Sequence, residues 1–325
     1  MINPKKSNLY KLTSKKYLKQ VLHISDNRYL KQYFVASHIK PYIDYNPKPR
    51  LIEAPSHTLK KIQTQLKYEL NKIEVPYNVF SGVKGKSYIL NAKLHKGNNY
   101  VFKIDLTAFF PCITRNVVYN FFKIDLKTSS DIAKILTNLV TIDLTLCNMD
   151  DPEQIELFLH NKNIKTTNHL ISGSPCSQIL SYLVNRQMFD ELQQLCDKNQ
   201  ITMSIYVDDI TFSASHGISY KTKQIIYKII SKHLFRLSRH KVKYYTKNYP
   251  KLVTGAILLP DGTTKAPNSL SRKVIDEFNN FKTNPSNEKT VRKLRGLIIA
   301  VQQSEKNRFN GLYRLVEEAA KELQI

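Results

Sequence analysis

Two stretches of the chain alternate apolar and polar residues with period two and meet at a pair of acids. Ile201-Thr202-Met203-Ser204-Ile205-Tyr206-Val207 leads into Asp208-Asp209, and Ile210-Thr211-Phe212-Ser213-Ala214 leads away. The pattern predicts a β-hairpin with carboxylates at its turn. A third stretch, Tyr100 to Leu106, places Val101, Lys103 and Asp105 on one face of a strand and Phe102, Ile104 and Leu106 on the other. The apolar set faces a core, so Asp105 is expected to point away from it. Phe109-Phe110-Pro111 ends the strand, because proline cannot continue a ladder.

The remaining pattern is mostly helical. Residues 1–45 read as helical and basic until Pro41, Pro47 and Pro49 interrupt them. Arg50 to Pro55 is extended. Leu59, Ile62, Leu66 and Leu70 recur at helical spacing over 57–73, and Ser87 to His95 opens another helix after a Gly- and Lys-bearing loop at 81–86. Two helices are expected over 116–142, the second starting near Ser130-Asp131. Residues 143–169 read as irregular, with a solvated acidic cluster of Asp143, Asp150, Asp151, Glu153 and Glu156. An amphipathic helix is expected from Ile179 to Asp197 and a basic one from Lys221 to Arg236. Leu252 to Leu258 reads as one strand, Pro260-Asp261-Gly262 as a turn, and Ser271 onward as helix broken near Pro285.

Composition narrows the class of partner. The 325 residues carry 50 Lys and Arg against 26 Asp and Glu, a net charge of +24. Such a field attracts a polyanion with salt-dependent affinity. An anionic membrane would instead want a concentrated basic amphipathic helix, and here the basic residues are spread along the chain. No apolar run approaches transmembrane length, and the polar N-terminus is not read as a signal peptide. Cys112, Cys147, Cys176 and Cys196 stand far apart without a C-x-x-C pair, which favours a reducing cytoplasm over a disulfide scaffold or zinc site. The absence of G-x-x-x-x-G-K and G-x-G-x-x-G argues against P-loop and Rossmann folds.

Adjacent aspartates at a turn are common on protein surfaces. Here they follow an upstream acid at a strand end, and three carboxylates from adjacent strands can bridge two Mg²⁺ ions for phosphoryl transfer. At this point the chain resembles a reverse transcriptase, and among those the bacterial retron enzymes. Asp105-Leu106-Thr107-Ala108-Phe109-Phe110-Pro111 resembles their first catalytic motif, Ser172-Gly173-Ser174-Pro175-Cys176-Ser177 their template- and nucleotide-contacting segment, and Tyr206-Val207-Asp208-Asp209 their catalytic hairpin. Asn91-Ala92-Lys93-Leu94-His95 matches the retron N-A-x-x-H element and Val253-Thr254-Gly255 the V-T-G element. The chain departs from the family at Ile171-Ser172, where Pro-Gln or Pro-Thr is usual, and at Ser177-Gln178, where Ser-Pro is usual; both bear on fidelity and speed.

The resemblance implies an α+β right-hand polymerase: N-terminal region and fingers over 1–99, an antiparallel-sheet palm over 100–115 and 171–262, a fingers insertion over 116–170 and a helical thumb over 263–325. It implies Asp105 and Asp208 as principal metal ligands, with Asp209 at the site but more weakly engaged, and two Mg²⁺ ions with Mn²⁺ as a substitute. Phe110 falls at the steric-gate position, or is a plain core aromatic. Arg50 falls where a triphosphate-contacting Arg stands, or is a surface residue. Ser172 and Gly173 would contact nucleotide. Lys241, with Lys243 close by, resembles a lysine that assists pyrophosphate departure. Asn91, His95, Val253, Thr254 and Gly255 are candidates for contact with the cognate RNA or for support of the fold. The implied function is copying of a dedicated structured noncoding RNA from dNTPs into a branched RNA–DNA product (msDNA). It would take place in the bacterial cytoplasm and in antiphage defence, with a separate effector protein and no membrane partner. The alternatives are a group II intron, diversity-generating or abortive-infection reverse transcriptase, or an inactive RNA-binding scaffold on the same fold.

Overall fold

The computed structural model describes residues 3–46 and 48–325. Pro47, one of the three expected breakers, lies outside the described residues. The first segment is not one helical stretch. Lys15–Val21 (α1) is capped by Ser14, whose side chain accepts the Tyr17 N–H, and Gln32–Ala36 (α2) follows a short 3₁₀ turn. The chain then becomes strand. Ile39–Asp44 (β1) pairs antiparallel with Arg50–Pro55 (β2), with Pro41 inside β1. Each strand of a two-stranded sheet keeps one unpaired edge, which tolerates a residue without an N–H. His57–Leu70 (α3) buries Leu59, Ile62, Leu66 and Leu70, as its periodicity predicts. Tyr88–Leu94 (α4) is capped by Ser87 and ends at His95.

Tyr100–Asp105 (β3) leads into the single turn Phe109–Cys112 (α5), entered through Ala108 at a left-handed φ of 48°. Arg115–Asn120 (α6) runs into a π turn, and Ser130–Val140 (α7) begins where Ser130-Asp131 predicts. Thr141–Asp143 (β4) pairs with Asn168–Leu170 (β5) across a helix the sequence pattern does not show, Pro152–Asn161 (α8). Here the acidic cluster supplies start signals and surface pairing. Asp151 accepts the Gln154 N–H as N-cap, Pro152 and Glu153 fill the first turn, and Asp150 pairs with Lys40. The helix expected from 179 to 197 is two, Ser177–Val184 (α9) and Arg186–Lys198 (α10). Between them Asn185 donates its side-chain amide to Ser181 O at 2.9 Å, a local bond that competes with the helix ladder.

Thr202–Tyr206 (β6) and Asp209–Ala214 (β7) form the predicted hairpin, followed by Tyr220–Lys232 (α11) and Lys243–Tyr245 (β8). These strands make one antiparallel sheet in the order β6-β7-β3-β8. The strand expected over 252–258 is instead a tight hairpin, Lys251–Val253 (β9) and Ala256–Leu258 (β10). Thr254 and Gly255 have φ of 46° and 84° at its two turn positions, the signature of a type I′ turn. With Thr264–Lys265 (β11) it forms a separate three-stranded sheet. Asn268–Thr283 (α12), Glu288–Gln302 (α13) and Asn310–Glu322 (α14) complete the chain around their own core of Val274, Val291, Leu294, Ile298, Val301 and Val316.

The main sheet has two unlike faces, and both are covered. Phe102, Ile104, Met203, Ile205, Ile210 and Phe212 form the apolar face, each fully buried side chain contributing about 1.5–3 kcal/mol. The other face was expected to point away from the core, yet Val101 packs there against Ile89, Ala92, Val253 and Ala256. Ser204, Thr211 and Ser213 on that face are also buried. His95 satisfies two of them. Its Nδ1 lies 2.7 Å from Ser213 Oγ and its Nε2 2.7 Å from Ser204 Oγ, which joins α4 to both strands of the hairpin. A neutral imidazole donates at one nitrogen and accepts at the other, and a hydroxyl can answer either.

Burial, helped by the Lys103 charge, pushes the His95 pKa down to about 3. An unfolded histidine protonates near 6.5. Below that pH the unfolded chain binds a proton that the folded chain refuses. The stability His95 provides is therefore complete above about pH 6.5 and declines as pH falls toward 3. The stability difference between the parent and His95→Gln, read by chemical denaturation, is expected to shrink across that interval. A difference independent of pH would show that His95 is not held neutral.

Candidate active site

The site is built by strand register. Asp105 closes β3 and Asp209 opens β7, and the two are direct partners across the antiparallel pair. Such partners project from the same face with Cβ atoms about 5 Å apart. Asp208 sits one residue earlier, in the turn between Tyr206 and Asp209, which are themselves partners. Val207 fills the first turn position at φ 59°. A β-branched residue there is strained, on the order of 1–3 kcal/mol. Neighbouring backbone holds it in place. Val207 N–H donates to Ser81 Oγ at 2.8 Å, Leu106 N–H donates to Asp208 O at 2.9 Å, and the segment around Val79 pairs along β6.

Two lysines pair with two of these three carboxylates. Lys241 Nζ donates to Asp105 Oδ2 at 2.8 Å, and Lys103 Nζ donates to Asp209 Oδ2 at 2.8 Å. Burial, and after it the charge of Asp105, pushes the Asp208 pKa up to about 6. Burial raises Asp209 too, against the pull of Lys103. Among the described residues no group of three His, Cys, Asp or Glu is drawn together as a ready cage for a metal ion. The donor chemistry nevertheless fits a hard divalent cation. Carboxylate oxygens are its preferred ligands, the partly buried Asp208 has no salt bridge of its own, and the Lys241 ammonium already occupies a cation position on Asp105.

The structure treats the other sequence candidates unequally. Lys241 reaches Asp105, whereas Lys243 stands exposed on β8. Phe110 is half-buried and tilted against the buried Phe109 at 5.9 Å between centroids, so part of the ring faces out just past Asp105. Arg50 is exposed opposite Asp44, and among the described residues no contact ties it to the carboxylates. Ser172 is engaged inside the protein. Its N–H donates to Glu53 Oε2 at 2.7 Å and its hydroxyl to Leu51 O at 3.3 Å. Gly173 follows because a Cβ there would lie 2.2 Å from Glu53 O. Asn91 is fully buried and donates its amide to Thr254 Oγ1. The two retron-like elements thus meet each other. Burial removes the side chains of Asn91, His95 and Val253 from direct RNA contact and leaves only Thr254 and Gly255 near the surface.

Sequence reasoning missed Lys103, Ser81, Glu53 and His169. Glu53 and His169 form a fully buried pair at 2.6 Å that anchors the Ser172 turn to β2. Glu53 left a signal, since it sits between Leu51 and Pro55 at an inward period-two position. Lys103 left one also, two residues before Asp105 on the same face.

Residues 40–296 match the family model for reverse transcriptase (RNA-dependent DNA polymerase). The chain is 26% identical over 255 residues to the retron Ec83 reverse transcriptase of Escherichia coli, covering 77% of each protein. It is 28% identical over 189 residues to the retron Se72 reverse transcriptase of Salmonella heidelberg (strain 579083-10), covering 57% of this chain and 43% of that protein. It is 26% identical over 211 residues to the retron Ec86 reverse transcriptase of Escherichia coli, covering 64% and 58%. The family match runs from β1 into α13 and takes in every carboxylate of the site, so the chain belongs to the reverse transcriptase (RNA-dependent DNA polymerase) family and is of the retron type.

Proposed function

We propose that this protein is the RNA-directed DNA polymerase of a retron, which copies a structured noncoding RNA into single-stranded DNA and leaves a branched RNA–DNA product. The observation that carries the reading is the register of β3 against β7, which sets Asp105 beside Asp209 with Asp208 at the adjoining turn. In this reading the sheet β6-β7-β3-β8 is the palm, the regions 1–99 and 116–170 are fingers, and α12 to α14 are the thumb. The net charge of +24 supplies affinity for template and product.

Asp105 and Asp208 would be the principal holders of two Mg²⁺ ions, with Asp209 as the third carboxylate. The ions, when bound, lower the pKa of the attacking hydroxyl and offset charge on the triphosphate. The protein's own part is to fix the carboxylates before substrate arrives. Lys241 is its mobile cation at the site, half-exposed and free to pair with phosphate once it leaves Asp105. Phe110 would exclude a ribose 2′-hydroxyl by bulk. The family's retron members motivate the further proposals of a dedicated RNA partner, a separate effector protein and a role in antiphage defence.

Asp208→Asn is expected to lower dNTP incorporation by roughly 100-fold or more, since each carboxylate–metal contact carries several kcal/mol of transition-state stabilisation. RNA binding by the same variant should stay close to the parent in a filter-binding assay. Undiminished synthesis would sink the reading. Phe110→Ala is expected to raise ribonucleotide incorporation relative to dNTP by roughly ten- to a hundredfold, the range steric pockets provide. An unchanged sugar preference in single-nucleotide extension would assign the ring to packing alone. Sequencing the nucleic acid that co-purifies with the protein should return one structured RNA joined to DNA.

A further inference from the structure

Lys103 and Lys241 make equal bonds to the carboxylates but are held very differently. Lys241 is 50% exposed and can swing into water. Lys103 is 14% exposed and its partner Asp209 is 21% exposed. The other carboxylate on the Lys103 side of the sheet, Asp105, is already paired with Lys241. Thr211 stands opposite it in the register, and His95 lies close enough to feel its charge. A buried ammonium without a partner is strongly unfavourable, so Lys103 cannot release Asp209 without a replacement.

Resting on the metal-site reading above, we propose that Lys103 is a fixed positioning cation that holds Asp209 within the fold, leaving Asp105 and Asp208 to hold the divalent cations. Asp209 then balances Lys103 and orients the start of β7. Asp209 Oδ1 is buried without a hydrogen-bond partner, and is the one atom through which Asp209 could still act as a ligand. A double-mutant cycle separates the two roles, because a counter-ion becomes dispensable once its cation is removed and a ligand does not.

The readout is Mn²⁺ affinity of the full chain, followed by electron paramagnetic resonance of the free ion and independent of turnover. Asp209→Asn leaves the Lys103 ammonium uncompensated and should weaken Mn²⁺ binding about tenfold or more by like-charge repulsion. Adding Lys103→Met removes that ammonium and should bring affinity back to within about threefold of the parent. A double variant as weak as Asp209→Asn alone would make Asp209 an indispensable ligand and overturn the proposal. Should the methionine variant fail to fold, Lys103→Gln with Asp209→Asn keeps a hydrogen-bonded pair at the same place and answers the same question, with melting curves confirming folding. Asp208→Asn reports separately on the metal site. Parent-like Mn²⁺ affinity in that variant removes the metal-site reading and the clamp with it. Loss of affinity there, together with rescue in the double variant, supports both.

Discussion

The register between β3 and β7 is the constraint on which the site depends. It places Asp105 and Asp209 side by side, where their charges oppose the pairing that brings them together. The opposite face of the same strands decides the contest. Phe102 and Phe212 are register partners whose rings stack at 5.9 Å between centroids, and Ile104 pairs with Ile210 beside them. A slip of β3 by one residue would turn Phe102 and Ile104 toward the polar side, away from Phe212 and Ile210. Apolar packing thus fixes where the carboxylates stand, and Lys103 and Lys241 offset the repulsion that results.

The polar face carries a second burden. Serines and threonines buried in a sheet must be hydrogen-bonded or they weaken it. His95 and Asn98 meet that need for the two serines, both reaching Ser213, with His95 reaching Ser204 as well, while the Thr211 hydroxyl is left without a partner. Asn91, one turn earlier, ties the same helix to the β9–β10 turn, and Tyr88 donates its hydroxyl to Ala300 O in α13 at 3.2 Å. Helix α4 is therefore the junction of three parts: the carboxylate hairpin, the small sheet and the C-terminal helices. This explains why Asn91 and His95 need defined side chains although neither reaches solvent.

Local periodicity made much of this legible. The hairpin over 201–214, the strand ending at Asp105, α3 and the C-terminal helices all follow from period-two or helical patterns. Failures came where a local signal was outweighed by tertiary context. The helical reading of 1–45 missed β1, which a two-stranded sheet can form with Pro41 inside it. Asn185 splits a continuous amphipathic pattern with one side-chain bond. The stretch over 252–258 looked like one strand because Thr254 hides a turn that glycine would have advertised twice. At the site, Asp105 and Asp208 are visible as acids at strand ends. Lys103, Ser81, Glu53 and His169 were not, because their roles come from partners between 106 and 126 residues away in sequence.

Val207 shows how the turn trades stability for definition. Glycine would adopt its positive φ without strain, but would also admit other turn geometries. Valine is strained there, and its side chain gains contact with the main core in return. The Ser81 hydroxyl then accepts the Val207 N–H. Each of the two neighbours of Asp208 is thereby fixed: Val207 by packing and Ser81, Asp209 by Lys103. A carboxylate whose burial already makes its charge unfavourable cannot relax by moving its backbone. Its charge is relieved either by taking up a proton, which the pKa raised to about 6 expresses, or by a cation supplied from outside the fold.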